Sequence, residues 1–315
     1  MDFIRSFFSA SKAHSSERAF LLGQEPFAIA RTLIHVFYLF FLYYSLTRLT
    51  AWSQFQSFEN LNPLWPVCWL RWVDPHWGAR FIMVFAFLSA FMGAFFPKYC
   101  WVRIAVFFGF LEFLALKYSF GKIGHSTHLM LIVSFILIFL PRNWSEPRLP
   151  SRATRQTVLY VFWGVQAFIL MTYTLAGLGK IGGAVYQFYL GQMHAFHPEA
   201  LAYHIAERLL QTGNSSLLGA FFIEYPWLGF PAMLVMLYAQ VFSFWVAFRP
   251  SLHRLWGGLL ILFHISVSLT LSINFHPQVF LVGLFFLYSP FRRPVTLRYI
   301  CVALPLFGFL FRSRS

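Results

Sequence analysis

Long apolar runs recur along the chain and are separated by short segments that hold charged residues, proline or glycine. A helix crosses the hydrocarbon core of a membrane in about 20 residues, at about 1.5 Å per residue. Runs of nearly this length predict an all-α fold, a polytopic integral membrane helical bundle with eight or nine membrane segments, whereas a barrel shows short alternating segments. The predicted spans are 27–49, 77–96, 102–117, 124–141, 157–180, 229–248, 255–274 and 276–290. A ninth segment, 297–311, is predicted to re-enter the membrane or to lie on it.

Composition agrees with this class of protein. Of the 315 residues, 59% are hydrophobic and only 11% are charged, whereas a soluble protein of this length needs more charge to cover its surface. Residues 1–25 are polar and mildly basic and lack the pattern of a cleaved signal peptide, so they predict a cytoplasmic or interfacial segment. The expected organisation adds a membrane domain over 26–291 and a short hydrophobic segment with a basic tail over 292–315.

The formal net charge of +14 arises mainly from basic residues in short loops, which favours a topological explanation over nucleic-acid binding. If the N-terminus is cytoplasmic, every inner segment is basic and the outer segments hold fewer cations. This pattern predicts a multi-pass protein of the cell membrane, or of the inner membrane if the source is bacterial. The inner cations are Arg5, Lys12, Arg18, Lys98, Arg103, Arg142, Arg148, Arg152, Arg155, Arg249, Arg254, Arg292, Arg293 and Arg298. The outer cations are chiefly Arg71, Arg80, Lys117, Lys122, Lys180 and Arg208.

Two long segments fall on the predicted outer face. Residues 50–76 are rich in tryptophan, which is typical of a segment that rests in the membrane interface. Within residues 181–228, the stretch HPEALAYHIAERLLQTGN predicts an amphipathic helix that either covers helix ends or closes a cavity. Its predicted apolar stripe consists of Leu201, Ile205, Leu209 and Leu210, before Gly213.

Several polar side chains lie inside predicted spans, where ionisable groups are costly and usually face a cavity or a partner. Gln166, Tyr173 and Lys180 are spaced by seven residues and therefore share one helix face. His264 lies near the middle of the seventh span, at the same depth as Gln240 in the sixth. The simple structural explanations are that the lysine reaches the headgroups and that the glutamines link helices.

Other polar residues fall in the same outer leaflet. His125 and His128 open the fourth span, Glu112 lies in the outer half of the third, and Ser268 and Ser272 follow the mid-span histidine at i+4 and i+8. Together these residues predict a polar cavity that opens outward, although histidines at a helix end also serve as simple caps. The three cysteines are scattered without metal-ligand spacing, so no metal site is predicted.

Four stretches form an ordered set of motifs over about residues 25–291. They are ARTLIHVFYLFF, GHSTHLMLIVSFILIFLP, YTLAGLGKI and FHISVSLTLSINFHPQVFLVGLFFLYSP. The third is similar to the Tyr-x-x-Ala-Gly-x-x-Lys signature of the vitamin K-dependent γ-carboxylase family, whose bacterial branch is called the horizontally transferred transmembrane (HTTM) domain. The other three resemble that family's opening helix, its histidine-led fourth span and its later histidine-led helix.

The resemblance implies a set of catalytic residues. Lys180 matches the lysine regarded as the base that deprotonates vitamin K hydroquinone, and His264 matches a histidine of the same active site. Either His125 or His128 matches the fourth-span histidine, so both are candidates. A lysine removed from water can supply a neutral amine as a base, and an imidazole can stabilise developing negative charge on oxygen.

The resemblance also implies a cofactor, which is vitamin K hydroquinone or menaquinone hydroquinone, with Tyr173, Gln240 and Ser268 as expected cofactor-binding residues. Two positions depart from the family. Gln240 stands where members commonly carry an acid, and Gly179 replaces the first residue of a frequent double lysine. The family's outer β-rich domain has no counterpart in this sequence, which favours a reaction other than the carboxylation of glutamyl peptides.

Two functional hypotheses follow from these observations. In the first, the protein is a membrane-embedded enzyme that uses a lipid-soluble quinol to modify a peptide or protein substrate at the outer face. In the alternative, it is a non-catalytic membrane partner in toxin maturation, immunity, export or scaffolding. Membrane lipid is an expected partner in both cases, and nucleic acid in neither. A transporter is a third hypothesis, but no pair of broken helices at matching positions supports it.

Overall fold

A computed structural model of the chain describes residues 24–49, 57–121, 123–125, 127–146, 150–291, 300 and 304–305. Within these ranges the regular structure is helical and no strand occurs, which confirms the all-α prediction. The α-helices are α1 (Gln24–Leu49), α2 (Pro75–Phe95), α3 (Cys100–Tyr118), α4 (His128–Leu137), α5 (Arg152–Tyr189), α6 (Ala200–Thr212), α7 (Gly219–Glu224), α8 (Pro226–Val241), α9 (Ser243–Ala247), α10 (His253–Leu271) and α11 (His276–Val282). Two 3₁₀ helices cover Trp65–Arg71 and Pro250–Leu252, and a π-helix over Gly283–Leu287 follows α11. The predicted segments 1–25 and 297–311 lie almost entirely outside the described residues.

Four helices are long and apolar enough to cross a membrane. They cover Gln24–Arg48, Pro75–Phe95, Arg152–Tyr189 and Pro250–Leu271. Shorter apolar helices cover His128–Leu137, Pro226–Val241 and His276–Leu287. These helices support the prediction of a helical membrane protein.

The described residues form two compact units, with the boundary between Val165 and Gln166. In the first unit, α2 packs against α1 and α3, and α4 packs against α3. Arg103 of α3 is almost completely buried, and its guanidinium donates hydrogen bonds to the carbonyl oxygens of Pro97 (2.8 Å), Lys98 (3.0 Å) and Ile138 (3.2 Å). This arginine therefore satisfies carbonyls that follow α2 and α4, where helix ends leave carbonyl groups without partners in the helix.

In the second unit, α10 packs against α8, α11 and the π-helix. The buried side-chain amide of Gln166 donates hydrogen bonds to the Phe285 carbonyl oxygen at 2.6 Å and to Ser289 Oγ at 3.0 Å. Gln166 thus joins α5 to the segment that contains the π-helix, which confirms its predicted role as an interhelical link.

Three helices differ from the predicted spans. The prediction that the fifth span's helix ends at Lys180 is wrong, because α5 runs on to Tyr189, nine residues further. An internal glycine costs a helix only about 1 kcal/mol, so Gly182 and Gly183 do not stop it, and the left-handed Gly191 lies just beyond its end. The fourth span forms only a ten-residue helix, and the sixth is interrupted at Phe242.

The amphipathic helix predicted for residues 181–228 is present as α6, and Gly213 adopts a left-handed conformation at its C-terminus. Ile205 is buried as predicted, but Leu210 is 85% exposed and does not belong to the buried face. α6 packs against α7, α8 and α10. It therefore covers neighbouring helices, and its closing of a cavity stays a prediction.

Candidate functional site

The amine of Lys180 is held by Gln240. Lys180 Nζ donates a hydrogen bond of 2.6 Å to Gln240 Oε1, which joins α5 to the last turn of α8. Lys180 is exposed as a residue, whereas Gln240 is buried. Among the described acidic residues, none forms an ion pair with Lys180. The structure therefore brings together two residues that the sequence placed on separate helices, and it gives the lysine a neutral partner.

A glycine sets the close approach of these two helices. A Cβ atom added at Gly177 would lie 2.8 Å from the Val241 backbone nitrogen and 3.0 Å from Gln240 Cβ. Real Cβ atoms rarely come this close to a backbone atom, so only glycine fits here without a shift. Gly177 lies one turn before Lys180, and it thereby allows the lysine to reach Gln240.

The helix is interrupted after α8, next to Gln240, and the Thr174 hydroxyl forms hydrogen bonds with the backbone at this interruption. The Thr174 hydroxyl accepts a hydrogen bond from the Phe244 N–H at 2.8 Å, and it lies 3.2 and 3.1 Å from the carbonyl oxygens of Gln240 and Val241. In addition, Trp256 Nε1 donates to the carbonyl oxygen of Ala239 at 3.0 Å. The Thr174 hydroxyl carries one hydrogen and therefore donates to one of the two carbonyls at a time, and together these bonds stabilise the position of Gln240.

His264 forms the second pair of the site. The Tyr173 hydroxyl and His264 Nε2 lie 2.6 Å apart, and both side chains are buried. The rings of Phe263 and Phe275 have centroids 5.1 and 5.0 Å from that of the imidazole. Lys180 Nζ lies 5.4 Å from the centroid of the Phe263 ring. One aromatic group therefore contacts both the lysine and the histidine.

Ser268, which was expected to bind a cofactor, is engaged elsewhere in the second unit. Its hydroxyl donates a hydrogen bond of 2.9 Å to Asn274 Oδ1, in the turn that follows α10. In the same turn Ser272 has a φ of 53°, and its hydroxyl donates to the Ser215 carbonyl oxygen at 2.6 Å. These bonds stabilise the end of α10. The assignment of Ser268 to a cofactor stays a prediction.

His125 and His128 lie beside each other in the first unit. Their Nδ1 atoms are 3.4 Å apart, and the His128 ring packs edge-on against Tyr118. The Tyr118 hydroxyl in turn bonds to Thr127 Oγ1 at 2.8 Å. Glu112, in the same unit, forms no ion pair with a described cation. The catalytic assignment of the two histidines stays a prediction.

Comparisons with known proteins give no relative. No family model matches the chain, and no curated protein or solved structure matches it. The resemblance to the carboxylase family therefore rests on the motifs in the sequence. Within the described part of the chain, no group of three or more His, Cys, Asp or Glu side chains could hold a metal ion.

Two residues that build this site, Thr174 and Gly177, were missed in the sequence analysis. Thr174 and Gly177 lie inside the YTLAGLGKI motif. Gly177 is three residues before the lysine and lies on the same side of α5, whereas Thr174 is six residues before it and lies about 120° around the helix. The three-residue spacing between Gly177 and Lys180 could therefore have identified Gly177 as part of the site. Nothing in the sequence pointed to the Phe244 N–H as the partner of Thr174, because α8 and α9 appear there as one apolar run.

Proposed function

We propose that this protein is a membrane-embedded enzyme of the vitamin K-dependent γ-carboxylase type, within the HTTM branch. It crosses the cell membrane with eight or nine segments and has a cytoplasmic N-terminus. It couples a lipid-soluble quinol to the modification of a peptide or protein at the outer face, as a lyase or an oxidoreductase. The observation that carries this proposal is the placement of the Lys180–Gln240 and Tyr173–His264 pairs around one aromatic group.

The residues of the site fit a quinol. Phe263 and Phe275 offer flat apolar surfaces, and the buried Nδ1 atom of His264 has no hydrogen-bond partner among the described residues. A quinol has an aromatic body with oxygen atoms on its ring, so it matches both features. When bound, it supplies two electrons and two protons. Tyr173, Phe263 and His264 would surround it, and Lys180 would lie beside it.

The chain's own residues handle the proton in this proposal. Lys180 accepts a proton from a ligand hydroxyl at Nζ, and Gln240 Oε1 orients the amine through the 2.6 Å hydrogen bond. Because Gln240 carries no charge, it holds the amine without the strong stabilisation of the ammonium form that a carboxylate provides. His264 stabilises negative charge on the ligand oxygen, in surroundings from which the phenyl rings exclude water.

Epoxidation of vitamin K hydroquinone under oxygen tests this proposal directly. The purified protein in nanodiscs is supplied with vitamin K hydroquinone or menaquinol, and the epoxide is measured together with water as the second product. We expect the parent protein to form the epoxide and Lys180→Ala to lose it, with a drop of roughly 100-fold or more from loss of the base. Folded parent protein that forms no epoxide from either quinol would exclude the mechanism.

The alternative is a non-catalytic partner that binds a second protein at the outer face. The observation in its favour is the outward surface of α6, where Leu210 is 85% exposed, together with Leu217, which is 80% exposed in the following loop. If this alternative is correct, Leu210→Glu abolishes the cellular phenotype of the gene and Lys180→Ala leaves it intact. The enzyme proposal expects the reverse, so complementation of a deletion strain with the two variants separates them.

A further inference from the structure

The Tyr173–His264 pair leaves one buried ring nitrogen without a partner. Both side chains are almost fully buried, at 6% and 5% exposure. The Nε2 atom of His264 is engaged by the Tyr173 hydroxyl at 2.6 Å, whereas Nδ1 has no hydrogen-bond partner in the described part of the chain. A buried polar atom without a partner costs about 1–3 kcal/mol, so such an atom calls for an explanation.

The position of the imidazole hydrogen decides whether Nδ1 is a hydrogen-bond donor or an acceptor, because one nitrogen of the neutral ring donates and the other accepts. If Nε2–H donated to the phenol oxygen, the phenol hydrogen and the Nδ1 lone pair would both be buried without partners. Tyr173 has no second hydrogen-bond partner among the described residues. If the phenol donates to Nε2, the only unpaired donor is Nδ1–H. The second arrangement leaves fewer strong hydrogen-bond donors and acceptors unpaired, and it is therefore the more stable of the two.

We propose that Tyr173 is a positioning residue that donates its hydroxyl hydrogen to Nε2 and thereby holds His264 as the Nδ1–H tautomer. The Nδ1–H group then donates to an acceptor oxygen of the ligand. This inference rests on the proposed function and deepens it, because it names the atom that contacts the ligand. It also defines the ligand class as a flat apolar molecule with a carbonyl or another acceptor oxygen on its ring.

The surroundings of His264 agree with that ligand class. Phe263 and Phe275 approach the imidazole from α10 and from the residue before α11. Their rings provide apolar surface, and Nδ1–H provides one directed polar contact. A hydrocarbon of the same size would contact these rings but would leave the buried donor unpaired, and it would therefore bind less tightly.

The role of Tyr173 differs from the expected one. As a cofactor-binding residue it would offer its hydroxyl to the ligand, but the structure shows that hydroxyl engaged with His264. Tyr173 therefore acts through the histidine, in the same way that an outer hydrogen-bond partner fixes the tautomer of a metal-bound histidine. Removing the Tyr173 hydroxyl should therefore change the tautomer of the His264 imidazole, and it should affect the ligand only through that change.

The test is ¹⁵N NMR of the full chain in nanodiscs, with ¹⁵N-labelled histidine. The His264 signals are assigned with His264→Gln, and the spectrum shows which ring nitrogen carries the hydrogen. We expect Nδ1–H in the parent protein and a mixture of tautomers in Tyr173→Phe. The matched control is Tyr186→Phe, which removes a hydroxyl from the same helix at an exposed position and should retain the parent tautomer.

Ligand binding is tested in the same samples with menaquinone and with squalene, an isoprenoid hydrocarbon that has no oxygen. Menaquinone should shift the Nδ1 signal of His264, and squalene should not. The proposal is overturned if the parent carries its hydrogen on Nε2, if Tyr173→Phe leaves the tautomer unchanged, or if menaquinone leaves Nδ1 unshifted. None of these readings requires turnover, so an absence of epoxidation would reject the proposed function separately.

Discussion

Gln240 gives Lys180 a neutral hydrogen-bond partner where an acidic residue would give it a charged one. Its side-chain oxygen accepts a hydrogen bond from Lys180, and no described acid pairs with the lysine. An amide orients the amine without adding negative charge. A carboxylate at the same position would place opposite charges within hydrogen-bond distance and stabilise the ammonium form.

We therefore expect Gln240→Glu to make Lys180 a poorer nucleophile. Its rate of acylation by a membrane-permeant amine reagent, followed by mass spectrometry, should fall roughly tenfold or more at neutral pH. Gln240→Leu removes the hydrogen bond without adding charge and serves as the control, which should not slow acylation. An unchanged rate in Gln240→Glu would show that the two side chains do not interact in the membrane.

Thr174 contributes to the stability of the protein through the hydrogen bonds of its hydroxyl group rather than through the shape of its side chain. Thr174→Val keeps the volume of the side chain but leaves the Phe244 N–H without its acceptor, at a cost of about 1–3 kcal/mol. The control is Thr172→Val, because the Thr172 hydroxyl bonds only within its own helix, to the Ile169 carbonyl oxygen at 2.7 Å. Thermal unfolding in detergent should show a lower Tm for Thr174→Val than for Thr172→Val, and Thr174→Ser should restore most of the difference.

At the scale of helices, the contact between α5 and α8 depends on the absence of a side chain at Gly177. Gly177→Ala should lower the Tm, because the added methyl meets the backbone of Val241 and the Cβ of Gln240. Gly179→Ala is a matched control on the same helix, since no atom lies within 4 Å of its added Cβ. Alanine also favours a helix over glycine, so the control should be neutral or stabilising by up to about 1 kcal/mol. Equal effects of the two substitutions would contradict the close approach.

In the first unit, Arg103 joins the ends of two helices through one planar guanidinium. Arg103→Lys retains the charge, but a single ammonium cannot reach carbonyl groups beyond α2 and α4 at once. We expect a loss of about 3 kcal/mol or more, because hydrogen bonds from charged donors are strong and the carbonyls are left unpaired. Chemical unfolding in detergent measures this loss. Arg80→Lys, at an exposed position on α2, should have an effect of less than about 1 kcal/mol.

At the scale of the whole molecule, the predicted topology places Cys68 outside and Cys100 inside. Both are free cysteines. In intact cells that carry Cys301→Ser, a membrane-impermeant maleimide should label Cys68 and should leave Cys100 unlabelled until the membrane is opened. Adding Cys68→Ser should abolish the labelling of intact cells. Labelling of Cys100 without permeabilisation would reverse the proposed orientation.

The sequence by itself determined that the chain forms helices long and apolar enough to cross a membrane, because apolar run length reflects the thickness of the hydrocarbon core. It also identified Lys180, His264 and Gln240 as polar groups in an apolar environment, since the cost of burying such groups depends on residue type and depth. The helix ends were harder to predict. α5 continues past Lys180 because no strong stop signal occurs there, and the lysine marks only a change in polarity.

Only the tertiary structure decided which polar groups are partners. Lys180 is separated from Gln240 by 60 residues and Tyr173 from His264 by 91, and no local pattern encodes such pairings. The interruption at Phe242 was also invisible in the sequence. Thr174 accepts a hydrogen bond from the Phe244 N–H, and Trp256 donates one to the Ala239 carbonyl oxygen, and both bonds become available only when the helices pack. Hydropathy and periodicity depend on neighbours along the chain, whereas a site is formed by neighbours in space.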